Sequence, residues 1–282
     1  MTHSIIPGAH KPAVMGVLNV TPDSFSDGGR FTERESALEQ ARRMVEEGAD
    51  CLDIGGESTR PGAEPVPVQE ELDRVCPVLE AIRSELDVPV SLDTSTPEVM
   101  REGARLGATL INDVRALRRP GALEAARDSG LPVCIMHMQG EPATMQQKPE
   151  YDDDVVAEVL TFLSGRAREL VDAGVPEERI MLDPGFGFGK TLEHNLTLLD
   201  RLETITAEGR PVLVGMSRKS MLGKVTGRDV DHRMPASVAA ATVAMMKGAA
   251  VVRAHDVPET VDAARLVRAL GQVHGDREQN DG

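Results

Sequence analysis

The chain has no tryptophan, one tyrosine and five phenylalanines in 282 residues, so aromatic residues make up 2% of it. Those rings are too few to build a surface that stacks nucleic-acid bases. Basic residues are also in deficit: 31 Lys and Arg stand against 46 Asp and Glu, a formal net charge of −15. That balance opposes a nucleic-acid or anionic-membrane partner. Cysteine is scarce. Cys51, Cys76 and Cys134 lie far apart, in no CxxC or Cys/His ligand spacing, and read as reduced core thiols of a cytoplasmic protein. No apolar run is long enough to cross a bilayer. The first residues lack the charged start and apolar stretch of a signal peptide.

A regular rhythm fills the space these absences leave. Helical segments end at Gly48, Gly107, Gly130, Gly174, Gly209 and Gly248, and a short apolar run follows each. Glycine past a helix end allows the left-handed cap that turns the chain back. The runs CLDIG, TLIND, LPVCIMH, RIMLDPG, RPVLVGMS and AAVVRAHD join AVMGVLN and VPVSLD to make eight. They lack polar alternation, as expected of parallel strands covered on both faces. Between them, Leu72, Val75, Leu79 and Ile82 recur at helical spacing, as do Val155, Val159, Phe162 and Leu163. Thr96-Pro97 reads as a helix start with an oxygen cap. Residues 236–246 are apolar almost all round, which predicts burial against the barrel or a second subunit.

Eight strand–helix units with right-handed crossovers close most simply into an α/β fold of the (β/α)8 or TIM-barrel type, which needs about 250 residues. An open doubly wound sheet is the rival, but no GxGxxG loop follows the first strand. One domain is expected over residues 1–273, with a disordered polar tail at 274–282.

Polar residues collect just after the apolar runs: Asn19, Asp53, Asp93, Asn112, Asp183, Lys219, Arg253 and His255. In a barrel these positions ring the face that carries active sites. Any one of them could be a helix cap or loop contact; eight together point to a site. Arg253 and His255, two apart on an extended strand, point the same way and suit an oxyanion. The amide oxygen of Asn19 is a hard ligand that suits Mg²⁺. Asp93, Asn112 and Asp183 offer donors and acceptors for the edge of a planar heterocycle, although two carboxylates also suit a metal or acid/base pair. Lys219 leaves a Schiff-base role open. The segment from Asp183 to Lys190 reads DPGFGFGK, with Phe186 and Phe188 expected at the surface as covers for an apolar ligand. Asp53 and His137 carry no assignment.

The segments NVTPDSFSDGG, DIGGESTRPGA, SLDTS, INDV, MHMQG, LDPGFGFGK, GMSRKS and RAHD occur in this order. In them, from about Val14 to Val257, the chain resembles the dihydropteroate synthase family. The resemblance implies condensation of 6-hydroxymethyl-7,8-dihydropterin diphosphate with para-aminobenzoate, giving dihydropteroate and pyrophosphate. It implies that Asp93, Asn112, Asp183 and Lys219 hold the pterin between Met136 and Phe188. It implies that Asn19 ligates Mg²⁺ and that Thr59, Arg60, Arg253 and His255 hold the diphosphate. Phe25, Pro61 and Ser220 fall in the aminobenzoate subsite, which sulfonamides also occupy. Asp93, Lys219 and Arg253 are the catalytic candidates. A homodimer of cytoplasmic location is implied, with small-molecule substrates as partners. The alternatives are a pterin-binding methyltransferase domain and a non-catalytic pterin-binding protein.

Overall fold

The structure, a computed structural model, describes residues 11–21, 30–58, 62–140, 145, 149–152 and 154–280, without the side chains of 30–33 and 274–280. Eight strands follow in chain order: β1 (Ala13–Asn19), β2 (Cys51–Gly55), β3 (Val90–Asp93), β4 (Leu110–Asp113), β5 (Val133–Met136), β6 (Ile180–Asp183), β7 (Leu213–Val214) and β8 (Val251–Ala254). The helices are α1 (Arg30–Glu46), α2 (Val68–Glu85), α3 (Pro97–Arg105), α4 (Ala122–Ser129), α5 (Val155–Asp172), α6 (Leu192–Asp200), α7 (Leu202–Thr206), α8 (Ser220–Thr226), α9 (Met234–Met246) and α10 (Val257–Asn280). The strands pair in parallel in the order β6-β5-β4-β3-β2-β1-β8-β7. A parallel bridge from Leu182 to Val212 joins the two ends, so the sheet closes on itself as the rhythm of the sequence predicts.

Alternation along each strand sorts the buried residues into two sets. Ala13, Met15, Cys51, Leu110, Cys134, Met181, Leu213 and Val251 form one small cluster inside the barrel. The intervening residues, among them Val14, Leu52, Ile111, Ile135, Leu182 and Val252, join the larger clusters beneath the helices. Successive strand residues face opposite ways, so both faces need apolar side chains and no polar alternation is visible.

Three local expectations change. Thr96 precedes α3 and Pro97 opens it, but the Thr96 hydroxyl does not cap the helix. It donates to Glu71 at 2.5 Å, and its oxygen accepts from Arg119 Nη1 at 3.2 Å rather than from the N–H groups of the first turn. Phe186 is fully buried in the core cluster beside α5 rather than exposed. And α10 continues through residues 274–280, where a disordered tail was expected. Helix α9 buries Ala240, Ala244 and Met245 but leaves Val243 and Met246 exposed.

Packing under the helices is close enough to reverse an ordinary preference. Gly103 lies inside α3, where alanine usually stabilises by about 1 kcal/mol. A Cβ there would stand 2.1 Å from Leu92 Cδ1, and Leu92 is fully buried. Overpacking of this kind costs about 1–3 kcal/mol and outweighs the propensity gain. Gly103→Ala is therefore expected to lower the urea midpoint; a raised midpoint would contradict this packing.

Candidate active site

The inward parity of the lower apolar cluster continues upward into polar residues. Two positions past Cys51 stands Asp53, two past Leu110 stands Asn112, two past Met181 stands Asp183, and two past Val251 stands Arg253. Asp93 shares this facing: it pairs in register with Gly55 and Asn112. Met136, two past Cys134, pairs with Asp183. Asn19 ends β1 opposite Gly55 and is half-buried. The predicted polar ring is therefore one surface at the carboxyl ends of the strands.

Arg253 is its centre. Its Nε donates to Asp53 Oδ2 at 2.6 Å and its Nη2 to Asp93 Oδ2 at 3.0 Å. Asn112 Nδ2 lies 3.4 Å from the same Asp53 oxygen. Asp53, without an assignment from sequence, is fully buried, and it anchors both Arg253 and Asn112 from below. The clue was its parity, two residues before Gly55. Two carboxylates share one guanidinium, so the group keeps excess negative charge. Burial and then the Asp53 charge push Asp93 up to about 7, against the pull of Arg253. The arginine that the resemblance assigns to the diphosphate thus spans both halves of the ring; Nη1 takes no part in either pair.

Asp183 lies across the barrel and accepts from Gly185 N at 2.7 Å. Burial raises its pKa, with Lys219 pulling it down. Lys219 directly precedes α8, and the residue before it, Arg218, takes a left-handed backbone at φ 59. A residue with a side chain holds that conformation only under constraint. Here Arg218 N donates to Ser237 Oγ at 2.9 Å, Arg233 holds its carbonyl at 3.0 Å, and its guanidinium pairs with Asp256. Lys219 Nζ then donates to Phe186 O and lies 4.5 Å from the Phe188 ring centre. Burial pulls its amine down to about 8, with Asp183 opposing. Met136 packs with Val114, Met138 and Met145 into an apolar patch, with Phe188 half-buried on it. Ser220 begins α8, and His255 faces Ser217 Oγ through Nδ1 at 3.0 Å.

Phe25, Thr59, Arg60 and Pro61 lie outside the described residues. Where the chain leaves β2, Gly56 and Glu57 are held by groups not singled out in the sequence. Arg74 donates to Gly56 O at 2.7 Å, and the half-buried Glu57 pairs with Arg115 at 3.3 Å and Arg119 at 3.6 Å. Asp113 accepts from Ser95 Oγ and from the backbone of Arg115 and Leu117. No periodicity marks such loop contacts. A hollow of about 550 Å³ between the β4–α4 connection and α5 lies away from the polar ring. Its Arg166 is committed to the carbonyls of Ala116 and Leu117.

A parallel barrel with carboxylates, an amide and cations around an apolar floor is an arrangement for a flat polar heterocycle bearing an anion. The family model described as pterin binding enzyme matches residues 15–255. The chain is 54% identical over 258 residues to the dihydropteroate synthase of Escherichia coli (strain K12), covering 92% of this chain and 91% of that protein. It superposes on the Yersinia pestis dihydropteroate synthase solved with a sulfonamide drug with a TM-score of 0.89, at 50% identity, covering 95% of this chain and all of the other (100%). It superposes on the Xanthomonas albilineans dihydropteroate synthase with 4-aminobenzoic acid with a TM-score of 0.87, at 50% identity and 93% of each chain. The chain belongs to the dihydropteroate synthase family. The curated relatives are named as dihydropteroate synthases and not as methyltransferase domains.

Arg253→Leu would leave two buried carboxylates without their cation, a loss of about 3–5 kcal/mol. Asp93 sits above its unfolded pKa, so folding takes up a proton and stability falls as pH rises through about 7. Arg253 lowers that pKa, so its removal should carry the fall on to higher pH and enlarge it. Urea unfolding below and above this range checks it. An equal loss on both sides would show that Arg253 does not balance Asp93.

Proposed function

We propose that this chain condenses 6-hydroxymethyl-7,8-dihydropterin diphosphate with para-aminobenzoate, forming 7,8-dihydropteroate and pyrophosphate. The observation that carries the reading is the single inward-facing ring of Asp93, Asn112, Asp183, Lys219 and Arg253, with Met136 beside Asp183. A pterin carries adjacent ring N–H and amino donors, which match the carboxylate of Asp183 and the amide of Asn112. Met136 and Phe188 supply apolar cover for its faces, and Lys219 balances Asp183.

The C–O bond to the diphosphate breaks with its electron pair going to pyrophosphate, and positive charge grows on the pterin methylene. Asp93 is placed to answer that charge. An acid poised near neutrality ionises more fully as a cation forms beside it, so its stabilisation is greater in the transition state than in the ground state. The aminobenzoate nitrogen then attacks the methylene carbon and sheds one proton. No side-chain nucleophile is required. Ser220, Phe25 and Pro61 form the aminobenzoate subsite, with which sulfonamides would compete. His255, Thr59, Arg60 and the remaining Nη1 of Arg253 receive the diphosphate.

Mg²⁺ fits this site through one protein ligand, Asn19. Asn19 is the residue that would hold the ion, and a hard cation of this kind would keep several waters and take phosphate oxygens of the substrate. When bound, the ion takes up charge on the leaving diphosphate. The exposed Val243 and Met246 of α9, with Leu266, Leu270 and Val273 of the adjoining α10, support a homodimer. No helix among the described residues is long and apolar enough to cross a membrane.

Purified protein is expected to release pyrophosphate only when both substrates and Mg²⁺ are present, and chelation should stop it. A folded sample that releases none would refute the reading. The pH dependence follows from two groups. Asp93 is protonated below about 7, and Lys219 loses its proton above about 8. Both work charged, so kcat/KM for the pterin diphosphate should rise through the first value and fall through the second. A flat profile across both would remove these residues from the rate-determining chemistry.

A further inference from the structure

Lys190 closes the DPGFGFGK segment, and it is 3% exposed. Its ammonium pairs with no carboxylate among the described residues. Nζ donates to Gly185 O at 2.9 Å and Phe188 O at 3.2 Å, lies 3.4 Å from His137 O, and faces His137 Nδ1 at 2.9 Å. Burial pulls the amine down to about 7, with Asp183 opposing. Burial and Lys190 together hold His137 down to about 2, so its ring is neutral and Nδ1 accepts. A buried cation held only by neutral groups is costly unless those groups satisfy every donor.

What these bonds gather is the turn after β6. Gly185, Gly187 and Gly189 have φ of 69, 80 and 63. A Cβ on Gly185 would stand 1.9 Å from His137 O, and one on Gly189 2.6 Å from Gln139 O. Only glycine lets the turn lie this close to the chain after β5. Tyr151 holds Gly189 O at 2.9 Å, and Asn195 Oδ1 takes Gly187 N at 2.7 Å. From its other side the turn presents Phe186 O and the Phe188 ring to Lys219. The turn is thus held between two lysines, Lys190 behind it and Lys219 in front.

We propose that Lys190 is a positioning residue. From behind the Gly185–Gly189 turn it fixes the Phe186 carbonyl and the Phe188 ring, which in turn aim Lys219 into the site. This rests on Lys219 being a pterin ligand, as argued above.

The test is a double-mutant cycle read by calorimetric binding of 6-hydroxymethyl-7,8-dihydropterin. Lys190→Met is expected to weaken binding about tenfold or more, the effect of misplacing a charged hydrogen bond. KM for para-aminobenzoate should change far less. In a Lys219→Met background the same substitution should cost little more, because the group it aims is gone. Additive losses, or unchanged affinity in the single variant, would overturn the proposal, as would equal loss for both substrates. If K190M does not fold, K190Q carries the cycle with a smaller expected loss, since its shorter amide can satisfy only part of the carbonyl set, and that loss should again vanish in the Lys219→Met background. A second readout needs no substrate. The Lys219 amine, followed by NMR, should titrate higher in both variants through loss of the neighbouring charge, and higher in K190M than in K190Q, where the turn is released more fully; equal titrations in the two variants overturn the inference. Failure of the wild-type protein to bind the pterin would instead count against the functional reading, and the Lys219 titration would still decide the role of Lys190.

Discussion

The pair of hydrogen bonds from Arg253 to Asp53 and Asp93 joins the three strands β8, β2 and β3 across the barrel interior. Its existence depends on the two-residue repeat of the strands. Shifting any of the three by one residue would turn a charged side chain out beneath an apolar helix. The same repeat stacks Cys51 under Asp53, Leu110 under Asn112 and Val251 under Arg253, so a polar layer rests on a dry one. The dry layer denies water to the lower side of the charges. That denial strengthens each interaction and also makes each unpaired charge expensive.

The site is therefore built from imbalance. One guanidinium serves two carboxylates, which leaves Asp93 near neutrality in its titration. Lys219, across the barrel, is pulled the opposite way by the same burial. An acid raised toward a base lowered is the arrangement in which a small change of charge on a bound molecule moves protons or redistributes bonds. A fully paired site would hold its ground state equally well but would have less to gain from a cation forming at the pterin methylene.

Around this layer the connections are tied rather than loose. Glu57, Arg115 and Arg119 brace the loop after β2, and Glu71 gathers Thr94 and Thr96 after β3. Arg218 is held in a left-handed backbone so that Lys219 can enter the site. Lys190 supports the glycine turn that Lys219 meets. Lys219, which reaches the inner ring from a loop, thus has Arg218 and the glycine turn held behind it, which limits how far its charge can relax away from the ring.

Periodicity, glycine spacing and polar strand ends were enough to read eight strands, a closed parallel barrel and the face that carries chemistry. They report local geometry, which is written in neighbouring residues. The motif order went further and pointed to a pterin and a diphosphate. Three things were beyond that reach. Phe186 went into the core because the turn after β6 folds inward, a direction that five alternating Gly and Phe residues do not encode. Thr96 left its cap because its hydroxyl donates to Glu71 and accepts from Arg119, both from other parts of the chain. And Asp53 acquired its role only through Arg253, 200 positions away in the chain. Barrel closure brings such residues together, and which charge stands beside which is a property of that closure, not of any segment read alone.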